Sequence, residues 1–355
     1  MQLDLRQRVR VAAMRPVVRM SLRDGVVRRR LLAGQRAVLA AGLDPDLAVL
    51  RALDQRTGDA EVAHRTPAQA RRHMRTSVAV VDDDGRALPV TTRGLTVAGA
   101  GGPLPARLYV ADGLPSAAPG LVFFHGGGWV TGDLDTHDGL CRRLAARGRL
   151  RVIAVDYRLA PEHPAPAAAD DAIAAFRDVA ARAGQLGLDP ARLAVGGDSA
   201  GGNLSALVAL ARRGAADAPA LQVLIYPGLD FTCAQPSHAR LADAFILNAR
   251  SIAWYREQYL GPAPSDERLR SPALSPLFAE DVTGLAPALI VTAGFDPLRD
   301  EAVAYAARLT GAGVTVDHID HPALVHGFTM LTAVSGACAR ATDALAAAVG
   351  DRLRG

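Results

Sequence analysis

The chain has 355 residues, half of them hydrophobic, which is enough for one large α/β domain with an appendage and a sizeable core. No run of about 18 consecutive apolar residues occurs, which excludes a membrane-spanning helix. The net charge of +4 is unevenly placed: residues 1–36 hold ten Arg against Asp4 and Asp24, and the remainder carries 30 basic and 34 acidic residues, a net −4. The main body therefore gives no support to nucleic-acid binding.

The opening MQLDLRQRVR lacks the uninterrupted apolar centre of a secretory signal, so a cytoplasmic location is expected. Residues 1–42 read as a basic, weakly amphipathic extension that Pro16 interrupts and Gly25 and Gly34 weaken. The plain reading is an extra cap helix. The alternative is a basic segment touching an anionic membrane surface or a partner, against which the broken apolar face argues. Residues 66–76 read as a helix, capped by Thr66 with Pro67 at its first position, and DDDG at 82–85 marks a turn.

From about residue 91 the pattern changes. LTVAG and PARLYV read as two strands joined by GAGGP. Strands then alternate with helices. The strands are GLVFFH (120–125), RVIAVDY (151–157), LAVGGD (193–198), LQVLIYP (221–227), ALIVTAG (288–294) and VTVDHID (314–320). The helices fall near 136–147, 167–183, 201–213, 298–310 and 336–352. Such alternation implies an α/β fold with a mostly parallel central sheet flanked by helices. The stretch between the strands at 221–227 and 288–294 is too long for an ordinary crossover, and RSIAWYREQYL within it reads as a helix. An insertion there, with the N-terminal helices, could form a lid.

Gly197-Asp198-Ser199-Ala200-Gly201 ends a strand and opens a helix, the context of a nucleophile elbow. A turn this sharp strains the serine backbone, and the flanking glycines let strand and helix pass closely. His125-Gly126-Gly127-Gly128-Trp129 ends another strand. Its glycines can point backbone N–H groups at a developing oxyanion, with a further donor from Ala200. A phosphate cradle is the rival reading, but neither a GKS/GKT ending nor GxGxxG spacing is present. His125 reads as structural, bracing the loop. A serine needs a base and the base an orienter, in the chain order Ser, acid, His. Asp296 in GFDPLRDE and His326 in ALVHGF both follow strands at the edge where Ser199 lies. Asp300, Glu301, His318 and His321 are rivals inside the following helix or on the last strand. In YRLAPEHP, Arg158 and Glu162 read as an ion pair bracing the loop, and His163 as a loop residue. Cys141, Cys233 and Cys338 are far apart and odd in number, and no HExxH or CxxC spacing occurs, so neither a disulfide framework nor a metal site is expected.

HGGGW, DYRLAPEHPAPAA, GDSAGGN, GFDPLRDE and HGF, in that order, resemble the hormone-sensitive-lipase-like (bacterial family IV) esterases of the α/β-hydrolase fold. The resemblance covers residues 43–353, departs at Ala165, where an aromatic is common, and leaves residues 1–42 outside it. It implies a cofactor-free carboxylesterase acting on short- to medium-chain esters through an acyl-enzyme. By it, Ser199, Asp296 and His326 match the triad, and Gly127, Gly128 and Ala200 the oxyanion donors, with Gly126 as an alternative donor. It divides the chain into an extension (1–42), N-terminal cap helices (43–88), a core (89–230 and 276–355) and a cap insertion (231–275). Amidase, lactonase or acyltransferase activity on the same triad, and a non-catalytic binding module, are the alternatives. A small-molecule ester is the expected partner; homodimerisation is left open.

Overall fold

The computed structural model describes residues 3–57 and 61–355. Helices α1 (Leu5–Arg23), α2 (Gly25–Ala33), α3 (Arg36–Ala40), α4 (Pro45–Thr57) and α5 (Pro67–Val81) precede the sheet. Pro16 does not interrupt the first of these, contrary to the sequence reading: α1 runs through it, and the break comes at Asp24. A proline removes one intrahelical donor, but packing of the opposite face holds the helix. Val11, Met14, Val18 and Leu22 recur at helical spacing and pack with Val80 of α5 and with Leu50 and Leu53 of α4. The Asp24 carboxylate then caps α2, accepting from the N–H groups of Val26 and Val27. Thr66 caps α5 as expected, in a reciprocal pair with Gln69.

Eight strands follow: β1 (Val90–Gly99), β2 (Gly102–Ala111), β3 (Ala118–Phe124), β4 (Arg151–Val155), β5 (Leu188–Asp198), β6 (Gln222–Ile225), β7 (Ala288–Phe295) and β8 (Val316–Val325). They form one sheet in the order β1-β2-β4-β3-β5-β6-β7-β8. The β1–β2 and β2–β4 pairings are antiparallel and the rest parallel. The strand expected at 221–227 stops at Ile225, because Tyr226 turns to a φ of 36°. The last strand runs on to Val325, one residue before His326.

Helices α6 (Asp138–Gly148), α7 (Ala167–Ala181) and α8 (Ala200–Ala211) link these strands. Helices α9 (Pro236–Arg240), α10 (Ala249–Leu260) and α11 (Asp266–Leu269) lie between β6 and β7; α12 (Arg299–Gly311) and α13 (Gly336–Arg354) follow. Strand alternation divides the core between two faces. Leu121 and Phe123 of β3 pack with Leu140 of α6 and Leu345 of α13. Val122 and Phe124 pack with Phe176 of α7 and Leu204 of α8. With both faces covered, β3 is buried along its whole length, which is why it reads as an unbroken apolar run. The chain leaves β3 toward β4 on one side and returns to β5 on the other. The crevice outside the carboxyl ends of β3 and β5 is therefore the switch point where ligands bind in open α/β sheets.

Candidate active site

Ser199 stands between β5 and α8 with φ 55° and ψ −116°, a conformation that a side chain resists. Such a residue costs on the order of 1–3 kcal/mol and persists only where its surroundings over-determine it. Here the Ser199 N–H donates to the Ile225 carbonyl (2.8 Å), and the Ser199 carbonyl accepts from the Asn203 N–H (3.1 Å). Gly197 and Gly201 are obligatory: a Cβ at either would collide with the Phe124 carbonyl oxygen of the neighbouring strand.

The structure brings the three widely spaced residues together. Asp296, fully buried after β7, accepts a hydrogen bond from His326 Nδ1 (2.8 Å), and its other oxygen accepts from the Leu298 N–H (2.8 Å). An ionised carboxylate only accepts, so Nδ1 carries the proton and Nε2 is left as an acceptor. The Ser199 hydroxyl lies 2.9 Å from that Nε2 and donates to it. The rivals are occupied elsewhere. Asp300 pairs with Arg240 and Arg299. His318 is bonded to Thr292, and the His321 ring lies edge-on to Phe328. Glu301 is buried in a pair with His238 (3.1 Å) and also accepts the Leu229 N–H. Burial alone would lower His238, but Cys233 and Glu301 outweigh it and raise it to about 10.

The glycine loop after β3 curls over Ser199. Gly127 and Gly128 adopt φ of 120° and 59°, in the positive region that favours glycine. Among the described residues no hydrogen bond uses the N–H of Gly127, Gly128 or Ala200, and all three residues line the cavity at Ser199. Gly126 is different: its N–H is donated to Asp198 Oδ1 (2.8 Å), so it is spent before any substrate arrives.

Asp198 is the residue that the sequence reading passed over. It is buried beside Ser199, and burial alone would raise its carboxyl. His137, with Nε2 3.3 Å away, and the Gly126 N–H outweigh that and hold it below the usual range. The signal was there, an acid inside the elbow motif and a histidine in LDTHDGL, but nothing local joins positions 61 apart. His125 does brace the loop: its Nδ1 donates to the Gly126 carbonyl (2.8 Å), and its ring stacks on Tyr157 at 4.4 Å. The Tyr157 hydroxyl donates back to the His125 carbonyl (2.7 Å). Trp129 closes the loop by stacking on Tyr259 at 4.7 Å.

Arg158 and Glu162 each pair, but not with one another. Arg158 makes a two-pronged bond to Asp171 of α7 (both 2.8 Å). Glu162 takes Arg71 of α5, whose guanidinium also donates to the carbonyls of Val130 (2.8 Å) and Ala160 (2.9 Å). Arg71 holds the Glu162 carboxyl down to about 2. His163 is exposed on this loop.

Ser199 opens into a cavity of about 380 Å³. Its walls come from segments far apart in the chain: Met14 and Val18 of α1, Leu50 of α4, Met74 of α5, Phe231, Tyr255 of α10, and Met330. The Tyr255 ring sits over the glycine loop so closely that a Cβ at Gly128 would strike it.

The family signature of the α/β-hydrolase fold matches residues 121–330. The chain is 44% identical over 330 residues to carboxylic ester hydrolase LipN of Mycobacterium tuberculosis, covering 90% of this chain and 86% of that protein. It is 40% identical over 308 residues to an ethyl acetate hydrolase of Pseudomonas putida, covering 82% and 93%. The hyperthermophilic esterase from the archaeon Pyrobaculum calidifontis superposes with a TM-score of 0.80 at 35% identity, over 87% of this chain and 98% of that one. With a signature across more than half of its length and relatives this similar along most of it, the chain belongs to the α/β-hydrolase family, among its hormone-sensitive-lipase-like carboxylesterases.

Proposed function

We propose that Ser199, Asp296 and His326 form the catalytic triad, and that Gly127, Gly128 and Ala200 supply the oxyanion donors. The observation that carries this reading is the unbroken Ser199–His326–Asp296 relay at the mouth of an apolar cavity. His326 Nε2 takes the Ser199 proton as Oγ attacks the ester carbonyl. Charge developing on the carbonyl oxygen falls to the three N–H groups that have no partner among the described residues; one such donor is typically worth about 3–4 kcal/mol. His326 then protonates the departing alcohol, and later activates water to release the acid from the acyl-serine. Asp296 holds the imidazole tautomer and stabilises its charge. Every step uses groups of the chain and water alone.

In the same reading, residues 43–88 and 231–275 cap a core of 89–230 and 276–355, and residues 1–42 complete the cap. A cavity of about 380 Å³ lies low in the usual ligand-pocket range of roughly 300–1,000 Å³. That size suits short- to medium-chain esters, and one relative is named for ethyl acetate. The relatives are named as esterases, which favours ester hydrolysis over amide or lactone chemistry. No described helix is long and apolar enough to cross a membrane; a cytoplasmic location belongs to the proposal.

The test is hydrolysis of a short-chain p-nitrophenyl ester by the wild type and Ser199→Ala. The variant should keep its circular dichroism and lose roughly 10⁴- to 10⁶-fold in kcat. Equal rates in the two proteins would overturn the triad.

A further inference from the structure

Six large apolar side chains stand open to solvent among the described residues, and five of them belong to the first two helices. Leu5 (77% exposed), Val9, Val17 and Met20 lie on α1, and Val26 opens α2. At about 100° per residue, Leu5, Val9, Ala13, Pro16, Val17 and Met20 project within one arc of about 120°, and every one of them is exposed. Arg8 and Arg19 border this stripe on one side and Arg10 on the other, and Arg6 and Arg23 stand within the arc at its two ends. The stripe is continuous only because α1 passes unbroken through Pro16. The two acids of the segment, Asp4 and Asp24, which cap α1 and α2, offset only two of its ten arginines.

A helix with one face packed, the other apolar and exposed, and arginines along both margins has the form of an interfacial helix. Charge complementarity selects its partner. Residues 1–36 carry +8 while the rest of the chain carries −4. An anionic surface therefore attracts this face and repels the remainder, which fixes the orientation of the molecule. We propose that α1 docks in the plane of an anionic phospholipid surface, its stripe sunk among the acyl chains and its arginines among the phosphates. The opposite face of α1 sends Met14 and Val18 into the cavity that holds Ser199. If the proposed ester hydrolysis holds, docking sets that cavity beside esters dissolved in the lipid.

Binding is read without turnover, so its failure and the failure of ester hydrolysis are separable. The full chain is sedimented with vesicles of phosphatidylglycerol and phosphatidylcholine, and with phosphatidylcholine alone, at low and raised salt. Two variants accompany it: Val9→Glu/Met20→Glu on the stripe, and Arg6→Gln/Arg19→Gln at its end and its margin. All four positions are exposed, so circular dichroism and hydrolysis of a water-soluble ester should stay at wild-type level. The wild type should sediment with the anionic vesicles and be released by salt. The arginine variant should lose roughly 25-fold in partition, about fivefold per charge. The stripe variant should fall to the level seen with phosphatidylcholine. The proposal is overturned if the wild type stays in solution, if both vesicle types bind equally, or if a folded stripe variant still sediments. It is also overturned if ultracentrifugation without lipid shows a dimer that the stripe variant dissociates, because a second copy then covers the stripe.

Discussion

Ser199 is held in a strained backbone by neighbours that leave it no alternative, and those neighbours are as specific as the serine itself. Gly197 and Gly201 are excluded from carrying a side chain by one carbonyl oxygen, that of Phe124. Both were legible in the sequence, because a small residue two positions to either side of a serine is a local pattern. The Asp198–Gly126–His137 cluster was not, because it joins three segments through a buried charge. His125 shows the energetic side of this packing. Burial, then His137, pushes its imidazole down to about 4. The folded chain thus keeps it neutral, whereas the unfolded chain protonates it below about pH 6.5. Its contribution to stability is complete above pH 6.5 and is lost as the pH falls toward 4. Between pH 7 and pH 5 the unfolding free energy should drop by about 2 kcal/mol on account of this group. Urea unfolding of the wild type and His125→Asn at the two pH values checks it: the pH-dependent loss should shrink by that amount in the variant, and an unchanged loss would refute the assignment.

The strands and helices of the core were read in their places, with ends off by up to five residues, because their apolar periods are imposed by burial on both faces of the sheet, as at Leu121 to Phe124. What escaped were the ties between elements. Arg158 and Glu162 are four residues apart and opposite in charge, which invites pairing. The fold instead sends Arg158 to α7 and hands Glu162 to Arg71 of α5. Arg71 is therefore the bolt between α5 and the loops at the site, satisfying two carbonyls as well as a carboxylate. Arg71→Ala strands the carbonyls of Val130 and Ala160, at about 1–3 kcal/mol, and should lower Tm by roughly 2–10 °C. Glu162→Ala removes only a pair whose acid is more than half exposed, and should cost under about 1 kcal/mol. Thermal melts of the two variants should rank in that order; the reverse order would show that the ion pair, and not the carbonyl contacts, fastens α5.

At the scale of the whole molecule, the cavity is assembled from α1, α4, α5, the glycine loop and α10, and no single segment contains it. Removal of residues 1–23 takes Met14 and Val18 from its wall and uncovers Val80 and Val334. The truncated chain should melt lower and keep kcat/KM for the shortest esters within a few-fold. It should lose about fourfold for each substrate methylene that α1 would have covered, at about 0.8 kcal/mol per methylene. A series of p-nitrophenyl esters of increasing chain length measures this; parallel profiles for the two chains would show that α1 does not touch the acyl group. By itself the sequence determined the sheet, the elbow at Ser199, the glycine loop and the order of Asp296 and His326, because each is written in a local period or motif. Only the tertiary structure decided that α1 survives Pro16, that Gly126 is spent on Asp198, and that Met14 lines the cavity into which Ser199 opens. Those outcomes depend on packing between segments as many as 316 residues apart, as between Val18 and Val334, and no local pattern records such contacts.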